Sequence, residues 1–337
     1  MRVTYAAVLC AILGLRAAAM PAAGVAAPAG RAAAVGQDQD TAARTGRARA
    51  RNEPERSVQV QMRNVAFHVD STIVLDLQYA RGRLRRVSPE HPPYLDDKRS
   101  FVLELDTARI GISGPALSRL LNRYTFAYPG SPLKSLTVTV EHGRIRQRGR
   151  MRGISFDVLG DLSLTPQGDL RLHPTTVKAV GLKVGGLMNF FGVHLQKLVN
   201  TDRAKGVRIQ RDDFLLSPTK LLPPPAVEGR VGRVEVNDSE IVQTFQPPPG
   251  RKIEPLTPPL PKADHYMFFR GGVLRFGKLT MDDTDLMIED ADPRDPFDFW
   301  LDRYNEQLVA GTSRNTKDHG LIVEMPDFKA VGGTEQR

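Results

Sequence analysis

From Ser57 onward, apolar and polar residues alternate one for one, and that period confines the chain to strands. Val58, Val60 and Met62 interleave with Gln59, Gln61 and Arg63; Ile73, Leu75 and Leu77 form a second set, and Phe101, Leu103 and Leu105 a third. Leu136, Val138 and Val140 alternate with Thr137, Thr139 and Glu141. The pattern returns at Ile154/Phe156/Val158, Leu162/Leu164, Leu170/Leu172, Val207/Ile209 and Val234/Val236. A strand sends successive side chains to opposite faces, so strict alternation means one face in a core and the other in water, the habit of antiparallel sheets. Turn formers separate the sets at His142-Gly143, Pro166-Gln167-Gly168-Asp169 and Val180-Gly181. The expected fold class is α+β, mostly antiparallel β: a long curved meander sheet wrapped around one or two helices, with a small C-terminal α/β extension.

Two segments break the period. Ser113-Gly114-Pro115 reads as a cap and first turn, and Leu117, Leu120, Leu121 and Tyr124 follow at helical spacing. A second helix is expected from about Gly186 to Asn200, where Leu187, Met188, Phe190, Phe191, Leu195, Leu198 and Val199 make an apolar face wide enough to be covered by a curved sheet. His194 near that face reads as a packed side chain. Leu117, Leu120, Leu121, Leu187, Phe190, Phe191, Leu195 and Leu198 are therefore the candidate lining of an interior cavity. Alternation does not tell a hollow interior from a filled one.

Ahead of the strands, Arg2 precedes an apolar run from Val3 to Leu15, and small residues follow at Ala17-Ala18-Ala19, Ala22-Ala23 and Ala26-Ala27. That is the tripartite pattern of a secretory signal peptide, too short for a membrane span. Residues 1–27 are expected to direct export to the periplasm or the exterior and to be cleaved between Ala19 and Ala27. Cys10, the one cysteine, leaves with them, so the mature chain is expected to have no disulfide, thiol nucleophile or thiolate metal site. Residues 28–56, rich in Ala, Gly and Arg, read as a disordered basic linker. Formal charge is +9, and loss of Arg2 and Arg16 leaves +7. Outside the cytoplasm such a surface favours anionic lipid or acidic envelope polymers as partners over nucleic acid.

The stretch from Gln246 to Pro261 holds seven prolines and reads as a strap or linker. It divides a 57–245 β domain from a 262–330 strand-helix extension. In the extension, Tyr266, Phe268, Val273, Phe276, Leu279 and Met281 predict strands around Gly271-Gly272. Asp295-Pro296 predicts the start of a helix presenting Phe297, Trp300, Leu301, Tyr304 and Leu308 and closed by Gly311. That face is expected to dock on the chain's own sheet or on an envelope protein partner.

Catalytic signatures are missing from the sequence: no G-x-S-x-G, H-E-x-x-H, C-x-x-C or P-loop occurs, and the seven histidines have no metal-ligand spacing. The acidic cluster Asp282, Asp283, Asp285, Glu289, Asp290, Asp292, Asp295 and Asp298 is dense enough in oxygen for Ca²⁺. It lacks the glycine and distant glutamate of an EF-hand, and Pro293 and Pro296 interrupt it. Neither cofactor nor metal is expected. Three basic clusters recur: Arg81 to Arg86, Arg144 to Arg152, and Arg203, Lys205, Arg208 and Arg211. A solvated outer face is their ordinary use. Arg144, Arg146, Arg150 and Arg152 lie nearest in sequence to the second helix and are the candidate contacts to an anionic head group or membrane.

From about Ile110 to Phe245 the chain resembles the LmeA-like phospholipid-binding family of actinobacterial envelope proteins. The resemblance is carried in order by Ile112 to Asn122 (ISGPALSRLLN), Val138 to Arg146 with Gly149-Arg150, Gly181 to Val184, Gly206 to Ile209, and Leu221 to Pro225 leading into Gly229-Arg230-Val231. It implies a secreted domain similar to tubular lipid-binding proteins, an apolar cavity for acyl chains of a phospholipid or other acyl lipid, and no catalysis. The expected function is non-catalytic lipid binding in the envelope, with a role in lipid transfer or envelope biogenesis. The alternative is a structural or interaction protein of the envelope with a filled core.

Overall fold

The structure, a computed structural model, describes residues 57–151, 153–179, 203–247, 249–254 and 256–332. It is mostly antiparallel β with few helices, and a sheet curls into a half barrel. The larger sheet has eleven strands: β1 (Val58–Asp70), β2 (Ile73–Arg86), β3 (Phe101–Ser113), β10 (Ala226–Glu228), β11 (Arg230–Val236), β12 (Glu240–Gln246), β13 (Tyr266–Arg270), β16 (Asp285–Asp290), β17 (Phe297–Trp300), β18 (Thr312–Asn315) and β19 (Leu321–Met325). Its order is β11-β12-β3-β2-β1-β13-β16-β19-β18, with β10 on β3 and β17 on β1. The second sheet is a meander of β4 (Leu133–Glu141), β5 (Arg144–Met151), β6 (Ile154–Leu164) and β7 (Leu170–Ala179), continued by β9 (Asp213–Leu216) and β8 (Val207–Gln210). A separate hairpin joins β14 (Val273–Phe276) to β15 (Leu279–Asp282).

The alternation holds in β1 except at Gln61: Val58, Val60 and Met62 are buried and Gln59 and Arg63 exposed, while Gln61 is buried, donating to the Leu256 carbonyl and to the Tyr266 hydroxyl. Both β1 and β3 are long enough to serve two partners along one edge. β1 pairs antiparallel with β13 over residues 59–63 and parallel with β17 over residues 65–68. β3 pairs with β10 over residues 102–104 and with β12 over residues 108–113.

Between the two sheets the chain passes through helix α1 (Gly114–Leu120) and one π-helical turn (Leu121–Thr125). Ser113 caps α1, its Oγ accepting from the Ala116 N–H at 3.3 Å. The helix then covers the edge of the second sheet by side-chain hydrogen bonds. Ser118 Oγ accepts from the Val138 N–H at 2.7 Å, and Asn122 accepts from the Leu136 N–H at 3.0 Å while donating to the Leu136 carbonyl at 2.7 Å. An edge strand that would otherwise offer free backbone groups is thus occupied. Gly114 is required at this approach, because a Cβ there would meet the Val138 carbonyl oxygen at 2.7 Å. The π turn is tied to the β1–β2 turn by Tyr124, whose hydroxyl donates to Asp70 Oδ2 at 2.6 Å. Burial and that carboxylate together push the phenol up to about 12.

Residues after Gln246 are continuous with this framework. The proline-rich strap crosses the larger sheet, accepting from Arg81 at the Glu254 carbonyl (3.1 Å) and from Gln61 at the Leu256 carbonyl (3.3 Å), and Arg251 pairs with Asp106 at 2.9 Å. Arg81 itself is buried, its guanidinium also donating to the Val60 and Gly82 carbonyls and to Gln59 Oε1, so this member of the first basic cluster is an internal tie and not part of a solvated face. Beyond the strap, β13 lies directly against β1.

One expected element is corrected. Phe297 to Trp300 form strand β17, and the helix α3 is only Tyr304–Ala310. Phe297, Trp300, Leu301 and Tyr304 are buried as expected, but two short elements bury them where one helix was read. Aromatic residues spaced three and four apart match a helical face, while Phe and Trp favour a strand wherever a neighbour with open backbone groups is present, here β1.

Candidate functional site

The two sheets face each other across an apolar slot. β1 contributes Met62, Phe67 and Val69, β2 contributes Leu75 and Leu77, and β3 contributes Leu103, Leu105, Ile110 and Ile112. From the opposite side come Ile145 and Gln147 of β5, Leu162 of β6, Leu170 and Leu172 of β7 and Leu216 of β9. The floor is closed by Leu117 and Leu120 of α1, and one end by the four-residue helix α2 (Pro218–Leu221) with Leu222, Pro223 and Pro225. Space open to the centre of a water-sized sphere amounts to about 90 Å³ in this slot. A second apolar cavity of about 50 Å³ adjoins it, lined by Leu121, Phe126, Leu136, Phe156, Phe214 and others, and Gln147 and Leu216 border both. By the same measure a single water needs about 10–15 Å³, so the slot is several times larger than a hydration site.

Apart from Gln147, Thr219 and Gln243, every slot-lining side chain is apolar. Gln243 sits on β12 between Ile241 and Phe245, and its Oε1 is buried with no hydrogen-bond partner. An unpaired buried acceptor costs about 1–3 kcal/mol, which makes Gln243 a point in the slot where a donor would be favoured.

The structure brings together three of the residues singled out in the sequence: Leu117 and Leu120 line the slot and Leu121 the adjoining cavity, all three buried. Leu187, Phe190, Phe191, Leu195 and Leu198, as well as Arg152, lie outside the described residues. Arg144, Arg146 and Arg150 fall on the face of β5 opposite Ile145 and Gln147, as the two-residue period of a strand requires. There Arg146 pairs with Asp157 at 2.6 Å and Glu141 at 3.1 Å, and Arg144 with Asp161 at 2.8 Å. Those carboxylates hold Arg146 well above the usual guanidinium range.

A different set of cations borders the slot's end. A polar basin of about 510 Å³ is lined by the β6–β7 turn, by Gly206 to Arg208, by Ser217 to Lys220 and by Gly229 to Val231. Pro218 and Thr219 line both the basin and the slot. Of its cations, Arg208 belongs to a basic cluster visible in the sequence and Arg230 to the Gly229-Arg230-Val231 stretch that carries the resemblance, whereas Lys220 is singled out by neither. Gly229 directly precedes Arg230, and Pro218 opens the short helix two residues before Lys220.

Among the described residues, Asp292, Asp295 and Asp327 place carboxylate oxygens within 4.8 Å of one another. Lys329 Nζ is 3.2 Å from both Asp295 and Asp327, and Arg294 is 2.7 Å from Asp292. The charge a cation would supply there is already provided by side chains.

No family model matches this chain, and neither does a curated protein or a solved structure.

Proposed function

We propose that this chain is a non-catalytic lipid-binding protein of the cell envelope, exported by its N-terminal segment, that holds an acyl chain in the slot between its sheets. In this reading the curled sheet and α1 together act as the sleeve of a tubular lipid-binding fold. The observation that carries it is the slot's lining: aliphatic side chains from both sheets converge on unfilled space, with the buried, unpaired Gln243 Oε1 among them. Ligand sites of this kind are concave and mostly apolar, with few polar groups to fix orientation. Each methylene moved from water into the slot contributes about 0.8 kcal/mol, so ten give roughly 8 kcal/mol before ordering costs, enough for binding without any reactive group.

The test is extraction of the purified chain with organic solvent followed by mass spectrometry. Stoichiometric phospholipid or fatty acid is the expected result. A chain purified from a lipid-rich lysate that yields none, and that takes up none from vesicles, would be a structural envelope protein instead.

A further inference from the structure

Beside the slot lies the basin whose wall is shared with it, and its chemistry is that of an anion site. We propose that this basin binds a phosphate group, the head group of the lipid whose acyl chain occupies the slot; the proposal rests on the acyl-lipid reading above.

The geometry is set by α2. Leu221 on this helix lines the slot, Lys220 lines the basin, and Pro218 and Thr219 line both, so one turn separates an apolar compartment from a cationic one. Three cations border the basin, Arg208, Lys220 and Arg230, against a single carboxylate, Asp169. That carboxylate is already engaged: it accepts from Ser217 Oγ at 2.6 Å and from Arg208. Its role is to orient Arg208, whose remaining N–H groups stay available on a half-exposed side chain. Lys220 and Arg230 are exposed and make no ion pair among the described residues, and Arg230 donates only to the Pro166 carbonyl at 3.4 Å. This differs from β5, where Arg144 and Arg146 are matched by carboxylates.

Backbone also contributes. Gly168 and Gly206 border the basin with φ of +89° and +75°, and a Cβ at Gly206 would press on the Lys220 carbonyl carbon at 3.1 Å. Side chains there would close the corner that keeps the basin open. Arginine recognises phosphate through paired N–H donors and lysine through a point charge, and both are present. A molecule with a phosphate at one end and an apolar chain at the other spans the two compartments as they stand.

The experiment uses the full chain and a Lys220→Glu/Arg230→Glu variant, both changes being at exposed positions. Binding is measured for phosphatidylglycerol bearing a fluorescent acyl chain, for an uncharged monoacylglycerol with the same chain, and for inorganic phosphate. The expected result is that the variant binds phosphatidylglycerol at least tenfold more weakly, with monoacylglycerol affinity unchanged and inorganic phosphate binding far weaker than the lipid. Equal phosphatidylglycerol affinity in the two proteins overturns the basin while leaving the slot intact. Loss of affinity in an Arg144→Gln/Arg146→Gln/Arg150→Gln variant, and none in the basin variant, overturns it as well and moves the head group to β5. Inorganic phosphate bound as tightly as the lipid makes the basin a free-phosphate site and overturns the head-group assignment. If the native chain binds neither lipid, the acyl reading fails first, and the head-group proposal falls with it.

Discussion

The slot and the aromatic block beside it share a strand, yet one is loose and the other tight. Phe67 of β1 belongs to both: it lines the slot, and its ring centroid lies 5.7 Å from that of Phe299. Phe276, Phe297, Phe299 and Tyr304 then stack and tilt against one another at 5.1–6.0 Å, each almost wholly buried. Two glutamines mark the contrast. Gln307 in the block is fully buried and satisfied, accepting from the Trp300 N–H at 3.0 Å and donating to the Asp298 and Pro326 carbonyls at 2.7 and 3.0 Å. Gln243 in the slot leaves its Oε1 unpaired. Short segments between residues 266 and 328 can settle against each other until their rings are packed and Gln307 is met, although Asp285 Oδ1 and Asp290 Oδ2 stay without a hydrogen-bond partner there. Two extended sheets joined through α1 cannot approach locally, so their aliphatic faces stay apart.

This comparison can be broken most forcefully in the block. Phe299→Ala removes a ring from a filled core and is expected to cost about 3–5 kcal/mol, read as a large fall in denaturant midpoint. A cost below about 1 kcal/mol would mean the block is as loose as the slot.

The glutamines are next. Gln307→Leu strands three backbone groups and is expected to destabilise by roughly 3 kcal/mol, whereas Gln243→Leu removes an unpaired acceptor and is expected to leave stability equal or up to about 1 kcal/mol higher. Chemical denaturation of both variants reads the difference, and equal losses would remove the contrast.

Asp290 sharpens it through pH. Burial pushes its carboxyl up to about 6, and Asp327 adds to this against the opposing Asp292 N–H and His265, whose Nδ1 is 3.6 Å away. The unfolded chain releases this proton near its ordinary value of 3.8, so between about pH 4 and 6 the native state holds a proton that the unfolded state has lost. Stability therefore falls as pH rises through that window, and the ionised form is penalised fully above it. Asp290→Asn is expected to stabilise by on the order of 2–3 kcal/mol at pH 8 and to have no effect near pH 4. A constant difference across that range would contradict the assignment.

The smallest effect separates filling from crowding. Leu286→Phe, at a fully buried position of the block, is expected to cost about 1–3 kcal/mol, while Leu77→Phe enters the slot with little change in melting temperature and weakens lipid uptake. Equal destabilisation would mean that the slot has no room.

Much of the framework was legible in alternation, because period two survives wherever one face of a strand is buried and the other wet. The sets at Val58, Ile73, Phe101, Leu136, Leu170 and Val207 each fall on a strand. The cap at Ser113 was readable because its chemistry is local. Long-range pairing was not: β13 beside β1 joins residues some two hundred positions apart across a proline-rich stretch that reads as a boundary. β17 was misread because its four residues are too few for the alternation at Phe297-Asp298-Phe299 to outweigh the helical spacing of Phe297, Trp300, Leu301 and Tyr304. At the site, Leu117, Leu120 and Leu121 were visible as a helical face, whereas the room beside them depends on the separation of two sheets and leaves no mark in the residue pattern. Lys220 and Arg230 become neighbours of Arg208 only when α2 and the start of β11 meet the β6–β7 turn.

The most direct measurement is a crystal structure of the chain loaded with a phospholipid brominated on one acyl chain, with bromine located by anomalous scattering. The expected result is bromine between the sheets, beside Leu77 and Leu172, with the phosphate on the side of α2 that carries Lys220. Bromine absent from the slot in a crystal where lipid is bound elsewhere, or a slot closed by side chains, would contradict the claim that the space between the sheets is where the acyl chain goes.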